Sequence, residues 1–346
     1  MRRRRNNPIA RRLIITLIAF LAVLAILLTA AAFQPLEESE GESTETDTNS
    51  VTEVTDATTE EPEPVADAAA FKTLAEQLLA EGDFTAKHFA LFDITTNQTV
   101  FEKNANDRIT AASTIKLLTA LTMLDHVSAE EQFTVGSEIS LIGAGSSTAK
   151  LKKGYVMNTE QILDALLIPS GNDAAYVIAA HVGRKLAKDP QIADSDAVSL
   201  FLEKMNEKAK ALGAMDSNFT CPDGYPNKTQ YTTAADMLKI SVAAARNETI
   251  RKTTGKTFVS YTMPDGTELK YTNTNQLIVP SNKNFYEGLF GMKTGTTNAA
   301  GQCLIAGCDI YGHQIIIALF QSTDRWADCQ KIIDLTTSAI TQNLPK

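Results

Sequence analysis

The sequence predicts an α+β domain built around an antiparallel sheet, preceded by an apolar N-terminal segment and an acidic linker. Two observations carry the domain prediction. Strand-like segments lie at both ends of residues 67–346, and segments with helical periodicity lie between them. Short turn sequences join neighbouring strand-like segments, as in hairpins. A sheet formed from both ends of a chain and packed against the intervening helices is a common α+β arrangement.

The N-terminal segment has the features of a membrane anchor. Residues 1–12 contain six arginines and no acidic residue, and residues 13–33 carry no charge. An apolar helix of about 20 residues can span the hydrocarbon layer, and arginines on its N-terminal side favour a cytoplasmic N-terminus. We therefore expect a single-pass protein of the cell membrane whose folded domain lies outside the cytoplasm. Cleavage as a signal peptide near Ala30 to Ala32 is the alternative, although the apolar run is long for that role.

Residues 34–66 are predicted to be a disordered linker. They contain eleven acidic residues, no lysine or arginine, and many threonines and serines. Such a composition cannot bury enough apolar surface to fold. The remaining residues, 67–346, hold 26 basic and 30 acidic side chains. Because nucleic-acid binding relies on a basic surface, this balance does not indicate a nucleic-acid partner.

The first part of the domain is predicted to be mainly helical after an initial hairpin. Residues 69–79 have the periodicity of an amphipathic helix, and residues 96–98 separate two strand-like segments. Asn158 and Gln161 have the spacing of a helix N-terminal cap, and Pro169 ends that helix. The predicted strands are 88–94 and 99–102, and the helices that follow are 158–168, 172–182 and 195–212, with Gly213 closing the last.

The C-terminal third is predicted to be mostly β-structure. A capping signal at residues 233–236 precedes a helix, after which residues 264–266 and 311–312 have turn sequences between strand-like segments. The predicted strands are 257–261, 268–271, 289–293, 302–310 and 313–321, and helices at 237–245 and 324–342 flank them.

The cysteines and histidines do not indicate a disulfide framework or a metal site. The chain has four cysteines, too few for a domain of this size to depend on disulfides. Cys303 and Cys308 are five residues apart on one predicted strand, so alternation places them on opposite faces and they are not expected to pair. The four histidines are widely spaced and show no zinc-binding spacing. We therefore expect no metal ion and no cofactor.

A possible nucleophile and base lie at the start of a predicted buried helix. Ser113 and Lys116 are three residues apart and so share one helix face. The apolar run after Lys116 predicts burial, which disfavours the charged amine and lowers its pKa. A neutral amine could then activate the serine hydroxyl. The spacing alone is weak evidence, because Ser147 and Lys150 repeat it in a segment typical of a solvated loop.

Ser170 and Asn172 lie on either side of Gly171, between two predicted helices. The hydroxyl could relay a proton, and the carboxamide could bind a peptide group. The alternative is that one of them only caps the next helix.

Lys293, Thr294, Gly295 and Thr296 follow one another on a predicted strand. The lysine supplies a positive charge, the threonines supply hydroxyls, and glycine lets a substrate approach the backbone. This sequence suits a peptide that ends in a free carboxylate. An ordinary strand with a turn-prone Lys-Thr-Gly is the alternative.

In this order the three motifs resemble those of the serine D-alanyl-D-alanine carboxypeptidases, the low-molecular-weight penicillin-binding proteins. The resemblance covers about residues 70–340 and includes further matches at residues 222–224, 232–237 and 273–277. It implies a penicillin-binding protein/β-lactamase-like fold, with a five-stranded antiparallel sheet flanked by helices and a mostly helical subdomain. It also implies a peptidoglycan stem peptide ending in D-Ala-D-Ala as substrate and β-lactam antibiotics as covalent inhibitors.

The resemblance also implies a role for each residue. Ser113 would form an acyl-enzyme with the penultimate D-Ala, which water then hydrolyses, and Lys116 would be the general base. Ser170 would pass protons toward the leaving amine, and Asn172 would hold the amide on the acyl side. Lys293 would help to position Ser170. The substrate carboxylate would be received by Lys293, Thr294 and Thr296, and the oxyanion by the backbone N–H groups of Ser113 and Thr296.

Three other functions stay open at this point. A class A β-lactamase would need a further glutamate to activate the deacylating water, and Glu203 and Glu207 lie in a regular predicted helix. A D,D-endopeptidase would use the same motifs on cross-links. A penicillin-sensing or wall-binding protein would keep the fold without the activity. The Thr296-Thr297 pair after the glycine departs from many relatives and leaves the substrate preference open.

Overall fold

The computed structural model describes residues 67–344. The predicted basic segment, anchor and linker at residues 1–66 lie outside this part of the chain. Within residues 67–344, no helix combines the length and apolar character needed to cross a membrane.

Eight α-helices and nine strands make up the described domain. The helices are α1 Ala68–Glu81, α2 Lys116–Leu124, α3 Thr159–Leu167, α4 Asn172–Ala187, α5 Asp194–Ala211, α6 Ala234–Arg246, α7 Glu248–Gly255 and α8 Arg325–Gln342. The strands are β1 His88–Asp93, β2 Gln98–Lys103, β3 Gln132–Thr134, β4 Val156–Asn158, β5 Phe258–Thr262, β6 Glu268–Thr272, β7 Leu289–Thr297, β8 Gly301–Ile310 and β9 His313–Ser322.

The central sheet confirms the predicted α+β fold. Its five strands run in the order β2-β1-β9-β8-β7, and every neighbouring pair is antiparallel. Ala90 in β1 faces Ala318 in β9, so the two ends of the domain meet in one sheet. Strand β7, which carries residues 293–296, forms one edge. Two small hairpins, β3–β4 and β5–β6, lie outside this sheet.

Different helices cover the two faces of the sheet. Cys308 on β8 belongs to a core with Phe71 of α1 and Ile332 of α8. Cys303, five residues earlier, belongs to the larger core formed with the helical part of the domain. The two cysteines therefore lie on opposite faces as predicted, and all four cysteines are free thiols.

Helix α2 is enclosed by the helical subdomain. Residues 116–123 are all buried, and the helix contacts α3, α4, α5 and α6. A helix that is apolar on nearly every face requires such surroundings. Full burial of a leucine such as Leu117 or Leu118 contributes about 1.5–3 kcal/mol. The start of α2 is therefore a fixed point from which side chains can be placed accurately.

The sequence pattern missed some elements. Strands β3 and β4 have three residues each, too few to show an alternating pattern, and α7 carries no continuous apolar stripe. The predicted cap at α3 is confirmed, because Asn158 and Gln161 exchange side-chain to backbone hydrogen bonds.

Candidate active site

Ser113 lies in a 3₁₀ turn, Ala112–Ile115, immediately before α2. The α-helix begins only at Lys116, so the nucleophile precedes the predicted helix instead of lying in its first turn. Residues three apart in a 3₁₀ turn eclipse one another, and the serine and lysine side chains therefore still share one side.

Two glycines allow the backbone to close around this turn. A Cβ atom on Gly224 would lie 2.0 Å from Ala112 O, and Gly224 also has a positive φ of 84°. A Cβ atom on Gly295 of β7 would lie 3.0 Å from Ser113 N. The turn is thus held between the loop at residues 222–224 and the edge strand of the sheet.

The Lys116 amine is the centre of the site. Its Nζ atom donates to Ser113 Oγ at 2.8 Å, to Asn172 Oδ1 at 2.8 Å and to Asp223 O at 2.7 Å. Ser113 Oγ lies 3.3 Å from the same Asp223 carbonyl oxygen. The structure therefore brings Ser113, Lys116 and Asn172 together. It adds the backbone carbonyl of Asp223, for which no role was predicted.

Burial lowers the pKa of Lys116 from 10.5 to about 8. The amine is completely buried, and loss of hydration disfavours its charged form. The negative charge of Asp223 acts in the opposite direction and is the largest opposing influence. A lysine with this pKa is neutral in roughly a tenth of the molecules at pH 7. That fraction can accept the proton of the Ser113 hydroxyl.

A neighbouring loop supports Ser170 and Asn172. Ser147 Oγ donates to Ser170 O at 2.7 Å, and Ser147 O accepts from Asn172 N at 2.9 Å. Asn172 Nδ2 donates to Ser146 Oγ at 2.9 Å. Lys150 is exposed, as expected of a solvated loop, but Ser146 and Ser147 contribute to the site. The sequence held no signal for this, because their role depends on contacts with residues more than 20 positions away.

Lys293 is buried behind the edge strand. It is 1% exposed, and its Nζ atom donates to Thr294 O at 2.9 Å. Burial, together with the positive charges of Lys116 and Arg325, holds the pKa of Lys293 well below its ordinary value. Among the hydrogen bonds of the described residues there is none between Lys293 and Ser170, the contact that the family resemblance implies.

Arg325 is a site residue that the sequence analysis missed. Its guanidinium donates to Gly295 O and to Cys303 O, both at 2.8 Å, and also to Thr296 Oγ1. A signal was present, because a cation in the first turn of a helix opposes the helix dipole. Arg325 has this unfavourable interaction with the helix dipole and lies next to the predicted substrate strand. It is therefore a candidate for binding an anion.

A cavity of about 460 Å³ opens over Ser113. Lys116, Asn172 and Lys293 lie behind its wall. The cavity is lined by Ser113, Ser147, Pro169, Ser170, Thr274, Gln276, Thr294, Gly295, Thr296, Gln302, Arg325 and Trp326. A larger cavity, of about 670 Å³, lies against the C-terminal half of α4 and holds none of the predicted site residues, so its size does not indicate catalysis.

Other chemistry finds less support in the described residues. Glu203 and Glu207 lie on α5 and line a separate groove, so neither is placed to activate water beside Ser113. Residues 67–344 contain no cluster of three or more metal-ligating side chains.

Comparisons with known proteins cover the same domain. The profile of the D-alanyl-D-alanine carboxypeptidases, peptidase family S11, matches residues 73–323. The D-alanyl-D-alanine carboxypeptidase DacF of Bacillus subtilis is 30% identical over 261 residues, or 73% of this chain and 62% of the relative. A D-alanyl-D-alanine carboxypeptidase of Streptomyces sp. (strain K15) is 32% identical over 252 residues, or 69% of this chain and 82% of the relative. The chain therefore spans less than two thirds of the Bacillus protein.

Solved structures show the same architecture. The Streptomyces K15 DD-transpeptidase superposes with a TM-score of 0.67 at 27% identity, over 74% of this chain and 98% of that protein. A D-alanyl-D-alanine carboxypeptidase from Mycobacterium tuberculosis gives a TM-score of 0.64 at 25% identity, over 74% and 92%.

Proposed function

The chain belongs to the D-alanyl-D-alanine carboxypeptidase family, and we propose that it is a serine carboxypeptidase that removes the terminal D-Ala from peptidoglycan stem pentapeptides. One observation carries the proposal. A buried lysine of lowered pKa lies 2.8 Å from a serine hydroxyl that lines an open cavity. A hydroxyl beside a neutral amine is an arrangement suited to acyl transfer.

In the acylation step, Ser113 Oγ attacks the carbonyl carbon of the penultimate D-Ala while Lys116 Nζ takes the hydroxyl proton. A C–O bond forms, the C–N bond to the terminal D-Ala breaks, and the proton held by Lys116 passes through Ser170 to the leaving amine, which leaves Lys116 neutral again. The backbone N–H groups of Ser113 and Thr296 stabilise the negative charge on the carbonyl oxygen, a contribution of about 2.7–4 kcal/mol for each donor. The absence of a side chain at Gly295 leaves space beside Ser113 N.

In the second step, water attacks the ester carbonyl carbon while Lys116 Nζ takes a proton from the water. The new C–O bond forms, the C–O bond to Ser113 Oγ breaks, and Lys116 returns the proton to Ser113 Oγ. The net reaction converts one pentapeptide and one water molecule into a tetrapeptide and free D-Ala. A β-lactam would acylate Ser113 in the same way. Its leaving nitrogen stays attached to the acyl group after ring opening, so the inhibitor remains covalently bound.

Replacing Asp223 with Asn is expected to move the rising limb of the pH–rate profile to lower pH. The charge of Asp223 raises the Lys116 pKa, so its removal lowers that pKa further. Asn keeps an oxygen that can accept from Tyr225 N, as Asp223 Oδ1 does at 3.0 Å. Because neutral Lys116 is the base, the acylation rate increases with pH through the Lys116 pKa, which is about 8 in the wild type.

The measurement is the rate of acylation of the full chain by a fluorescent penicillin between about pH 5 and pH 10. Superimposable profiles for the wild type and Asp223→Asn would show that this carboxylate does not influence the base.

Arg325 is proposed to bind the terminal carboxylate together with Thr294 and Thr296. Its replacement by Gln is expected to lower kcat/KM about 10- to 100-fold, because a hydrogen bond to a charged group contributes about 1.5–3 kcal/mol. Arg325→Lys keeps the positive charge, so its kcat/KM should fall by less than that of Arg325→Gln. The assay compares a peptide with a free carboxylate and the same peptide as C-terminal amide. If Arg325→Gln discriminates between them as strongly as the wild type, the carboxylate binds elsewhere.

The direct test of function is the release of D-Ala from a pentapeptide by the full chain.

A second candidate function is that of a D,D-endopeptidase, because a D-alanyl-D-alanine endopeptidase of Escherichia coli is 28% identical over 252 residues. Cleavage of cross-linked dimers without release from pentapeptides would favour this alternative. Stable penicillin labelling without any peptide cleavage would indicate a sensor, and rapid penicillin turnover would indicate a β-lactamase.

For the cellular location, we propose that residues 13–33 anchor the protein in the cell membrane and that residues 34–66 act as a spacer. The proposal is supported by the uncharged length of the first segment, the arginines before it and the acidic composition that follows. Fractionation of cells that express the full chain, compared with a form lacking residues 1–33, tests it.

A further inference from the structure

We propose that Trp326 forms one wall of a subsite for the side chain of the leaving residue, so that leaving D-residues larger than alanine are accepted. The inference rests on the proposed carboxypeptidase function and specifies its substrate class. Trp326 is the only tryptophan of the chain, and it lines the cavity that contains Ser113. It lies just beyond residues 73–323, the range that the family profile matches.

The position of the leaving residue follows from the charges around the cavity. Within residues 67–344, Arg325 is the cationic side chain that lines it. Lys116 and Lys293 are 0% and 1% exposed and lie behind the wall. The terminal carboxylate therefore pairs with Arg325. The side chain of the leaving residue is bonded to the same carbon atom as this carboxylate, so it must lie beside Arg325.

The indole of Trp326 is the neighbouring surface. The guanidinium carbon of Arg325 lies 5.2 Å from the centre of the indole ring. The ring is half-buried and packs against the core between the sheet, α1 and α8. Its backbone is fixed, because Trp326 N donates to the capping residue Asp324 at 3.2 Å. The indole is therefore a preformed wall.

Gln302, which lines the same cavity as Trp326, already uses both ends of its amide. Gln302 Oε1 accepts from Arg325 Nε at 3.1 Å, and Gln302 Nε2 donates to Thr323 O at 2.6 Å. An aromatic face in a cavity whose glutamine is already hydrogen-bonded favours an apolar side chain over one that needs hydrogen bonds from that glutamine.

The cavity has room for such a side chain. Its volume is about 460 Å³, within the range of about 300–1,000 Å³ that is typical of ligand pockets. The methyl group of alanine fills only a small part of such a cavity, so a larger leaving side chain can be accommodated beside the indole. A longer leaving side chain could belong to a free C-terminal D-residue or to a diamino acid whose amine is cross-linked to the penultimate D-Ala. The bonds that form and break are those of the proposed reaction in both cases.

The test uses one stem peptide with D-Ala or D-Leu at its C-terminus and measures kcat/KM for each with the full chain. The wild type is expected to cleave both. In Trp326→Ala the ratio of the D-Leu rate to the D-Ala rate should fall about tenfold, the effect of losing one apolar contact surface, and Trp326→Phe should retain most of it. A ratio that is the same in Trp326→Ala and the wild type overturns the proposal.

The matched control is Tyr311→Ala, a change at an exposed aromatic residue outside the cavity. Tyr311 follows β8, nine residues beyond Gln302, and is therefore about 30 Å away along the strand. In Tyr311→Ala the ratio of the D-Leu rate to the D-Ala rate should equal that of the wild type. An equal fall of this ratio in Tyr311→Ala and Trp326→Ala would overturn the proposal. A cross-linked dimer distinguishes the two sources of a long side chain, because cleavage sensitive to Trp326 assigns the subsite to cross-links.

Binding without turnover separates this inference from the proposed function. In the Ser113→Ala variant the fluorescence of the single tryptophan reports directly on the subsite. The D-Leu peptide should shift the emission more than the D-Ala peptide does. If the wild type cleaves neither peptide, the proposed function fails, and this titration still decides the subsite, since equal responses to both peptides overturn it.

Discussion

Replacing Ser113 with Ala is expected to abolish both D-Ala release and covalent labelling by penicillin. The variant has no atom at this position that can form the acyl-enzyme, and removal of a serine nucleophile typically lowers kcat by about a millionfold. We expect a loss of at least about 10⁴-fold, the residual rate coming from binding and the oxyanion donors. The change removes one oxygen from a half-buried side chain, so the thermal unfolding midpoint should stay close to that of the wild type.

The matched control is Ser147→Ala. Ser147 and Lys150 repeat the spacing of Ser113 and Lys116, and Ser147 Oγ lines the same cavity. Its hydroxyl only donates to Ser170 O, so its loss should cost a few-fold in rate and leave the labelling intact. If penicillin labelling survives in Ser113→Ala and is lost in Ser147→Ala, the nucleophile is Ser147 and not Ser113.

The sequence predicted those parts of the site that depend on local spacing. Ser113 and Lys116 are three residues apart, and any helical turn brings them together. The contact between Lys116 and Asn172 joins residues 56 positions apart. The family resemblance implied that both belong to one site, but their hydrogen bond was not predicted. The position of Arg325 in the first turn of α8 was a local signal, but its partners on strands β7 and β8 are distant in sequence, so the signal alone did not place it in the site.

The same distinction applies to the fold. Short turns revealed the hairpins β1–β2, β5–β6 and β8–β9, because neighbours in sequence pair across them. The pairing of β1 with β9 joins opposite ends of the domain, and periodicity carries no information about such partners. The free energy that selects this pairing comes from packing the two sheet faces against different helices, a property of the whole chain.

Replacing Lys116 with Met is expected to lower the rate of Ser113 acylation about 10²- to 10⁴-fold, the usual contribution of a general base. Methionine has a similar length and is apolar, so it can occupy the buried site. Asn172 Oδ1 and Asp223 O lose a hydrogen-bond donor, which is why the variant also tests the position of these groups. The residual rate should no longer rise with pH near 8. If the acylation rate of the variant still increases with pH near 8, the titrating group is not Lys116.

Stability provides an independent measurement on the same amine. The pKa of Lys116 is about 8 in the folded protein and 10.5 in its ordinary state, so between these pH values the unfolded chain binds more protons. The contribution of Lys116 to the free energy of unfolding should therefore rise across this interval, by about 3 kcal/mol for a shift of this size. It is measured as the difference between the wild type and Lys116→Met, because the buried cysteines and Lys293 titrate in the same interval in both proteins. Lys116→Met should lack this component. Lys150→Met, which removes the exposed lysine of the second Ser-x-x-Lys, should retain it together with full acylation. If Lys116→Met keeps the rise in stability, the amine is not buried as a neutral base, and the mechanism proposed for Ser113 would lose its proton acceptor.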